Sequence, residues 1–146
     1  MKAVASLLTR RLLVVGGSTL LAVPAGATPR EVASEIEKVT KGAALQQGRV
    51  TLDLAQMVEN GNAVGVTLSA DPPAGTTVRS LHLFAEANPS PNVLHAVFGP
   101  ASFAPSLTTR IRLATSQTVH AVAVMADGAC WTDSVTVMVT LAACLE

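Results

Sequence analysis

Aromatic side chains are scarce in this chain: three Phe, one Trp and no Tyr in 146 residues. A carbohydrate platform or a base-stacking surface draws on exposed rings, and neither fits so few. An excess of positive charge is missing too, since ten Lys and Arg balance ten Asp and Glu. Nucleic-acid binding needs a basic face, so that class is set aside. No Gly-rich phosphate loop follows a strand, and there is no His-Glu-x-x-His and no pair of Cys-x-x-Cys motifs. Internal repeats and low-complexity blocks are absent as well, and the length suits one domain. Only two cysteines occur, Cys130 and Cys144, and an oxidising compartment would allow them to pair.

What is present begins with an export signal. Residues 1–27 read as a signal peptide: Lys2, Arg10 and Arg11 form a basic start, Leu12 to Val23 is apolar, and Ala25-Gly26-Ala27 is a small-residue cleavage site. The apolar stretch is shorter than the roughly 20 residues a spanning helix needs. Thr9-Arg10-Arg11-Leu12-Leu13 looks like the twin-arginine type, which exports folded proteins; an ordinary secretory leader is the alternative. The expected location is the periplasm. From Thr28 onward seven basic side chains face ten acidic ones, a net charge of −3.

Thr28-Pro29-Arg30-Glu31 fits a capping box with Pro at the first helical position. Val32, Ile36 and Val39 then share one helical face, Lys38 and Lys41 suit the negative end of the dipole, and Gly42 ends the helix. From Arg49 the period changes to two. Val50-Leu52-Leu54, Val64-Val66-Leu68, Leu107 to Leu113 and Val135-Val137-Val139 alternate with polar residues. Val78 to Ala85, Val93 to Phe98 and Thr118 to Met125 add strands. Glu59-Asn60-Gly61-Asn62, Asp71-Pro72-Pro73, Asn88-Pro89 and Asp127-Gly128 are turn chemistry. The pattern predicts an all-β, immunoglobulin-like antiparallel sandwich with a short N-terminal helix over residues 28–146.

Few side chains in this frame carry chemistry. His82, His95 and His120 are far apart in sequence, and partly buried imidazoles with local hydrogen bonds are the plain reading against a zinc site. Arg110 and Arg112 share a strand face that is either solvated or open to an anion. Cys130, beside Trp131, reads as a small core residue. Cys144 differs, because it follows the last strand in the segment Ala142-Ala143-Cys144-Leu145-Glu146. A thiol in such a tail can be reached by other proteins. An unperturbed thiol, with a pKa near 8.5, is only a few per cent thiolate at neutral pH. No cation stands beside this one, so activation has to come from a partner. The alternative is a disulfide between Cys130 and Cys144, which needs a break near Thr132-Asp133 to fold the tail back.

Several stretches together resemble the SoxY family of sulfur carriers. They are Thr28-Pro29-Arg30-Glu31-Val32, Val50-Thr51-Leu52-Asp53-Leu54, Glu59-Asn60-Gly61-Asn62-Ala63-Val64 and Leu81-His82-Leu83-Phe84-Ala85 running into Asn88-Pro89. Thr109-Arg110-Ile111-Arg112-Leu113-Ala114 and Val122-Ala123-Val124-Met125-Ala126-Asp127-Gly128 complete the set. The resemblance implies a carrier rather than an enzyme, paired with a SoxZ-like subunit as a heterodimer. It implies no cofactor, only sulfur intermediates held covalently on Cys144. A haem enzyme, a hydrolase and a sulfane dehydrogenase of the thiosulfate-oxidising system would act on that cargo. One departure stands out: where the family arm reads Gly-Gly-Cys-Gly-Gly, residues 142–146 read Ala-Ala-Cys-Leu-Glu. Glycines free such an arm, whereas Leu145 adds bulk and Glu146 adds charge. The departure leaves open a paralogue with altered partners, or an exported binding and assembly module without carrier chemistry.

Overall fold

The computed structural model describes residues 27–102 and 105–143. The leader reading therefore lies outside the described residues except for Ala27, and so do Cys144, Leu145 and Glu146. Among the described residues no helix is long and apolar enough to cross a membrane.

Helix α1 (Pro29–Thr40) opens as its sequence requires. Thr28 Oγ1 accepts from the Glu31 amide at 3.3 Å, and a Glu31 carboxylate oxygen accepts from the Thr28 amide at 2.6 Å. It closes where Lys41 (φ 55°) and Gly42 (φ 78°) turn left-handed. Its apolar stripe buries Val32 against Phe84, Val122, Val124 and Cys130, with Ile36 and Val39 packed alongside. Burying Val32 stabilises the docked helix by roughly 2 kcal/mol.

The strands are β1 (Leu45–Gln47), β2 (Val50–Leu54), β3 (Met57–Asn60), β4 (Val64–Ala70) and β5 (Val78–Ala85). They continue with β6 (Asn92–Val97), β7 (Ser106–Ile111), β8 (Gln117–Met125) and β9 (Cys130–Leu141). One sheet runs β1-β9-β8-β5-β6, with β3 also paired to β9, and the other runs β2-β4-β7. Alternation decides which side chains fill the gap. Val50, Leu52 and Leu54 from β2, Val64, Val66 and Leu68 from β4, and Leu81 and Leu83 from β5 join Val119, Ala121, Ala123 and Val137 in one core. The expected sandwich with one short helix is present.

Two parts of the expectation need correcting. The sandwich is not wholly antiparallel: β1 and β3 both lie parallel to β9. Side-chain alternation reports which face a residue takes, not the direction of its neighbour. In addition, Glu59 and Asn60 belong to a strand rather than a turn, and the turn begins only at Gly61. There Asn60 Oδ1 accepts from the Asn62 amide at 2.9 Å, an Asx turn.

Strand β9 passes through Thr132 and Asp133 without a break. The Asp133 carboxylate instead accepts from the Leu52 amide of β2 at 2.9 Å, tying the two sheets together.

Candidate functional site

The segment that leads into Cys144 is held by a run of backbone hydrogen bonds. At the end of β9, the Leu141 carbonyl accepts from the Gly61 amide at 2.8 Å. The Gly61 carbonyl accepts from the Leu113 amide at 2.8 Å, and the Leu113 carbonyl accepts from the Ala143 amide at 3.1 Å. Ala143 is buried, at 9% exposure, and Leu113 wholly so. Three stretches far apart in sequence thus converge within one residue of Cys144. They can do so because Gly61 has no side chain. A methyl there would overlap the Leu113 carbonyl oxygen and stand 3.0 Å from the Ala143 nitrogen and 3.1 Å from Val139 Cγ1.

Leu113 is held in place from behind. Residues 112–116 lie between β7 and β8, and an irregular stretch needs partners for its backbone groups. Asn88 supplies them: Nδ2 donates to the Arg112 carbonyl at 2.8 Å, and Oδ1 accepts from the Ala114 amide at 2.9 Å. Gln117 Nε2 donates to the same Oδ1 at 3.0 Å and to the Thr115 carbonyl at 3.1 Å. Both side chains are buried; the bond between them is buried and the other three are part-buried.

The remaining candidates do not join this place. Cys130 lies at the opposite end of β9 as a buried free thiol, with its pKa raised chiefly by burial. The twelve extended residues of β9 from Cys130 to Leu141 span on the order of 36 Å, whereas a disulfide needs Cα atoms within about 7 Å. Arg110 stands on β7 opposite Gly65, and Arg112 follows the strand, exposed. His120 Nε2 meets Glu86 Oε1 at 2.9 Å. A groove of about 580 Å³ between α1 and the sheet, lined by Ile36, Thr40, Leu45, His120 and Thr132, also sits toward the Cys130 end. Among the described residues no three His, Cys, Asp or Glu side chains group as a metal site.

His82 and His95 face each other across β5 and β6, their rings stacked with centroids 4.4 Å apart. His82 is 5% exposed; Nε2 lies 2.9 Å from Ser80 Oγ, and Nδ1 is buried with no partner. Burial first, and then the nearby His95 and Arg79, lower its pKa from 6.5 to about 4. The folded chain therefore binds fewer protons than the unfolded chain between those two values, and stability falls as pH drops through that window. The expected loss is on the order of 2 kcal/mol, allowing for solvent near the ring pair. Thermal melts from pH 7 to pH 4 should show it. His82→Phe should flatten the profile, and an equally steep profile in that variant would remove His82 as its cause.

The sequence model described as sulfur oxidation protein SoxY matches residues 36–144, from inside α1 through to Cys144. The chain belongs to the SoxY family. Among solved structures it is similar to the sulfur carrier protein SoxY from Chlorobium limicola f thiosulfatophilum, at 22% identity and a TM-score of 0.67. That likeness covers 78% of this chain and 100% of the other. It is also similar to superoxide reductase (neelaredoxin) from Ignicoccus hospitalis, at 18% identity and a TM-score of 0.52, over 77% of this chain and 94% of that one. At these identities the structural likenesses show the shared sandwich alone. No curated protein matches the chain.

Placed against the SoxY family, the sequence reading picked out Cys144 and the turn residues around Gly61, but not Asn88 and Gln117. Asn88-Pro89 reads as a loop and as part of a stretch that resembles the family, and neither gives the Asn88 side chain a partner. Its side chain takes a structural role because the chain returns past it some 25 residues later, and no local pattern reports that.

Proposed function

We propose that this SoxY-family chain is a periplasmic sulfur carrier, a substrate of other enzymes rather than an enzyme itself, with Cys144 as the covalent attachment point. The observation that carries the reading is that the family match runs through to Cys144 while the sandwich holds the chain up to Ala143, the residue before it. A fixed residue next to the thiol suits a carrier, because it limits where along the fold a partner has to dock. A SoxZ-like subunit completes the heterodimer in this reading. The twin-arginine leader accounts for the location, since a folded, preassembled pair could cross the inner membrane together.

The chemistry assigned to Cys144 is a bond to the outer sulfur of thiosulfate. The thiol loses its proton to solvent, a sulfur–sulfur bond forms, and two electrons pass to a haem enzyme. Water then attacks the terminal sulfonate in a hydrolase, sulfate leaves, and a persulfide remains on the cysteine. A sulfane dehydrogenase then takes six electrons from that outer sulfur for its own acceptor while three waters supply the oxygens and release six protons, leaving an S-sulfonate, and a second hydrolysis releases sulfate and returns the thiol. The unbroken β9 supports a free Cys144 over a bridge to Cys130, since bridging would require the Ala143 end to leave its place.

Intact-mass analysis tests the proposal. Incubated with thiosulfate, the haem enzyme and an electron acceptor, the protein should gain the mass of one thiosulfonate group. Addition of the hydrolase should reduce that gain to one sulfur. A mass that stays unchanged while an established SoxY partner pair is loaded in the same mixture would sink the reading.

A further inference from the structure

We infer that Gly61 is a positioning residue for the thiol: its lack of a side chain clamps the chain at Ala143 and so fixes where Cys144 leaves the sandwich. The inference deepens the carrier reading and rests on it for its purpose, but the clamp itself can be measured without any sulfur chemistry.

The geometry leaves little choice about which residue matters. Gly61 donates to Leu141 and accepts from Leu113, whose carbonyl in turn holds the Ala143 amide. Remove any one link and Ala143 loses its place. All three links are backbone to backbone, and the side chain matters most at Gly61, where there is no room for one. The strain of a side chain there is steric, not conformational, because Gly61 is not among the glycines with positive φ. The atoms in the way, a carbonyl oxygen and an amide nitrogen, are backbone and cannot swing aside. A Cβ at residue 61 therefore pushes apart the three stretches that meet there.

The clamp also decides the hinge. Ala142 and Ala143 replace the two glycines that the family arm has before its cysteine, and Ala143 is buried rather than projecting. The clamp ends one residue before Cys144, whose Cα follows that of Ala143 by about 3.8 Å of chain. A partner has to bring its reacting group to that point, so moving the exit point costs transfer even when the thiol remains reactive.

The test compares the folded parent with Gly61→Ala in three readouts. First, amide exchange: in the parent the Ala143 amide should exchange at least about tenfold slower than an unprotected amide. In Gly61→Ala it should exchange at close to the unprotected rate while Val66 and Val122 keep their protection. Second, labelling with methyl methanethiosulfonate: Cys144 should react as fast as in the parent or faster, and Cys130, buried beneath α1, should stay unlabelled. Third, loading by the haem enzyme: kcat/KM should drop by about tenfold or more, chiefly through KM.

Labelling of Cys130 separates a displaced arm from an opened domain. If Gly61→Ala does label there, Ala143→Pro becomes the deciding variant, since it removes the amide that donates to Leu113 and leaves Gly61 in place; the same loss of loading with Cys130 protected supports the inference. An Ala143 amide that exchanges freely in the parent overturns it. So does a folded Gly61→Ala that keeps Ala143 protected, or that loads at the parental kcat/KM. A parent that shows the protected amide but is never loaded with sulfur defeats the carrier reading and leaves the clamp standing, so the two failures are distinguishable.

Discussion

Replacing Cys144 with Ser is expected to abolish sulfur loading altogether and to leave folding unchanged. The hydroxyl has the same shape as the thiol but at neutral pH is neither ionised nor able to take up sulfur. The loss should therefore be complete, not graded, because no neighbouring group can stand in for the attacking atom. The last described contacts of this end of the chain are made by residues before Cys144: Val139 packs on the core, and Leu141 and Ala143 are held by backbone links. Melting temperature and the chemical-denaturant midpoint should match the parent within error. The control is Cys130→Ser, which should show the reverse. It places a hydroxyl between Val32, Phe84 and Val124, costing stability while loading continues. If Cys144→Ser still gains the thiosulfonate mass, the attachment point lies elsewhere and the carrier assignment to Cys144 is wrong.

Asn88→Ala should have the largest effect on stability. Truncation strips partners from the Arg112 carbonyl, the Ala114 amide and the Gln117 side chain, all of them close to the core. A fully buried orphaned group costs about 1–3 kcal/mol; only the Gln117 bond is buried, the other two are part-buried, and the costs overlap because they share one side chain. A total of about 2–4 kcal/mol is expected, a substantial part of the stability of a domain this size. Urea unfolding monitored by Trp131 fluorescence measures it through the midpoint, provided the slope is unchanged. The damage should also spread to Ala143, whose amide depends on a Leu113 carbonyl that Asn88 holds from behind. A loss below about 1 kcal/mol would mean that water takes over the bonds, and that the network is not what keeps residues 112–116 in place.

The sandwich was readable because its signals are local. Val50-Thr51-Leu52-Asp53-Leu54 buries every second side chain, and Thr28 and Glu31 cap the helix through contacts three residues apart. Family membership was readable because several short stretches recur in order. The parallel neighbours of β9 were not. β1 is three residues long and exposed, so no apolar alternation marks it, and Met57 on β3 is exposed as well. These strands exist because β9 offers unpaired backbone to which they can bond, a tertiary cause that no window around residues 45 or 57 contains. The clamp at Gly61 escaped for a related reason. Asn60-Gly61 announces a bend, but the close approach of Leu113 and Ala143 is set by two other stretches of chain.

The parallel pairing of β9 bears on the order in which the domain comes together. Leu45 meets Cys130 and Met57 meets Met138, so neither short strand has its hydrogen-bonding neighbour until the ninth strand is present. β8 likewise lacks one of its two flanking strands until then. Contacts this distant along the chain make for slow, late closure. The length of polypeptide that leads up to Cys144 is thus seated in the same event that completes the sheet, and a chain still being built has no fixed Ala143.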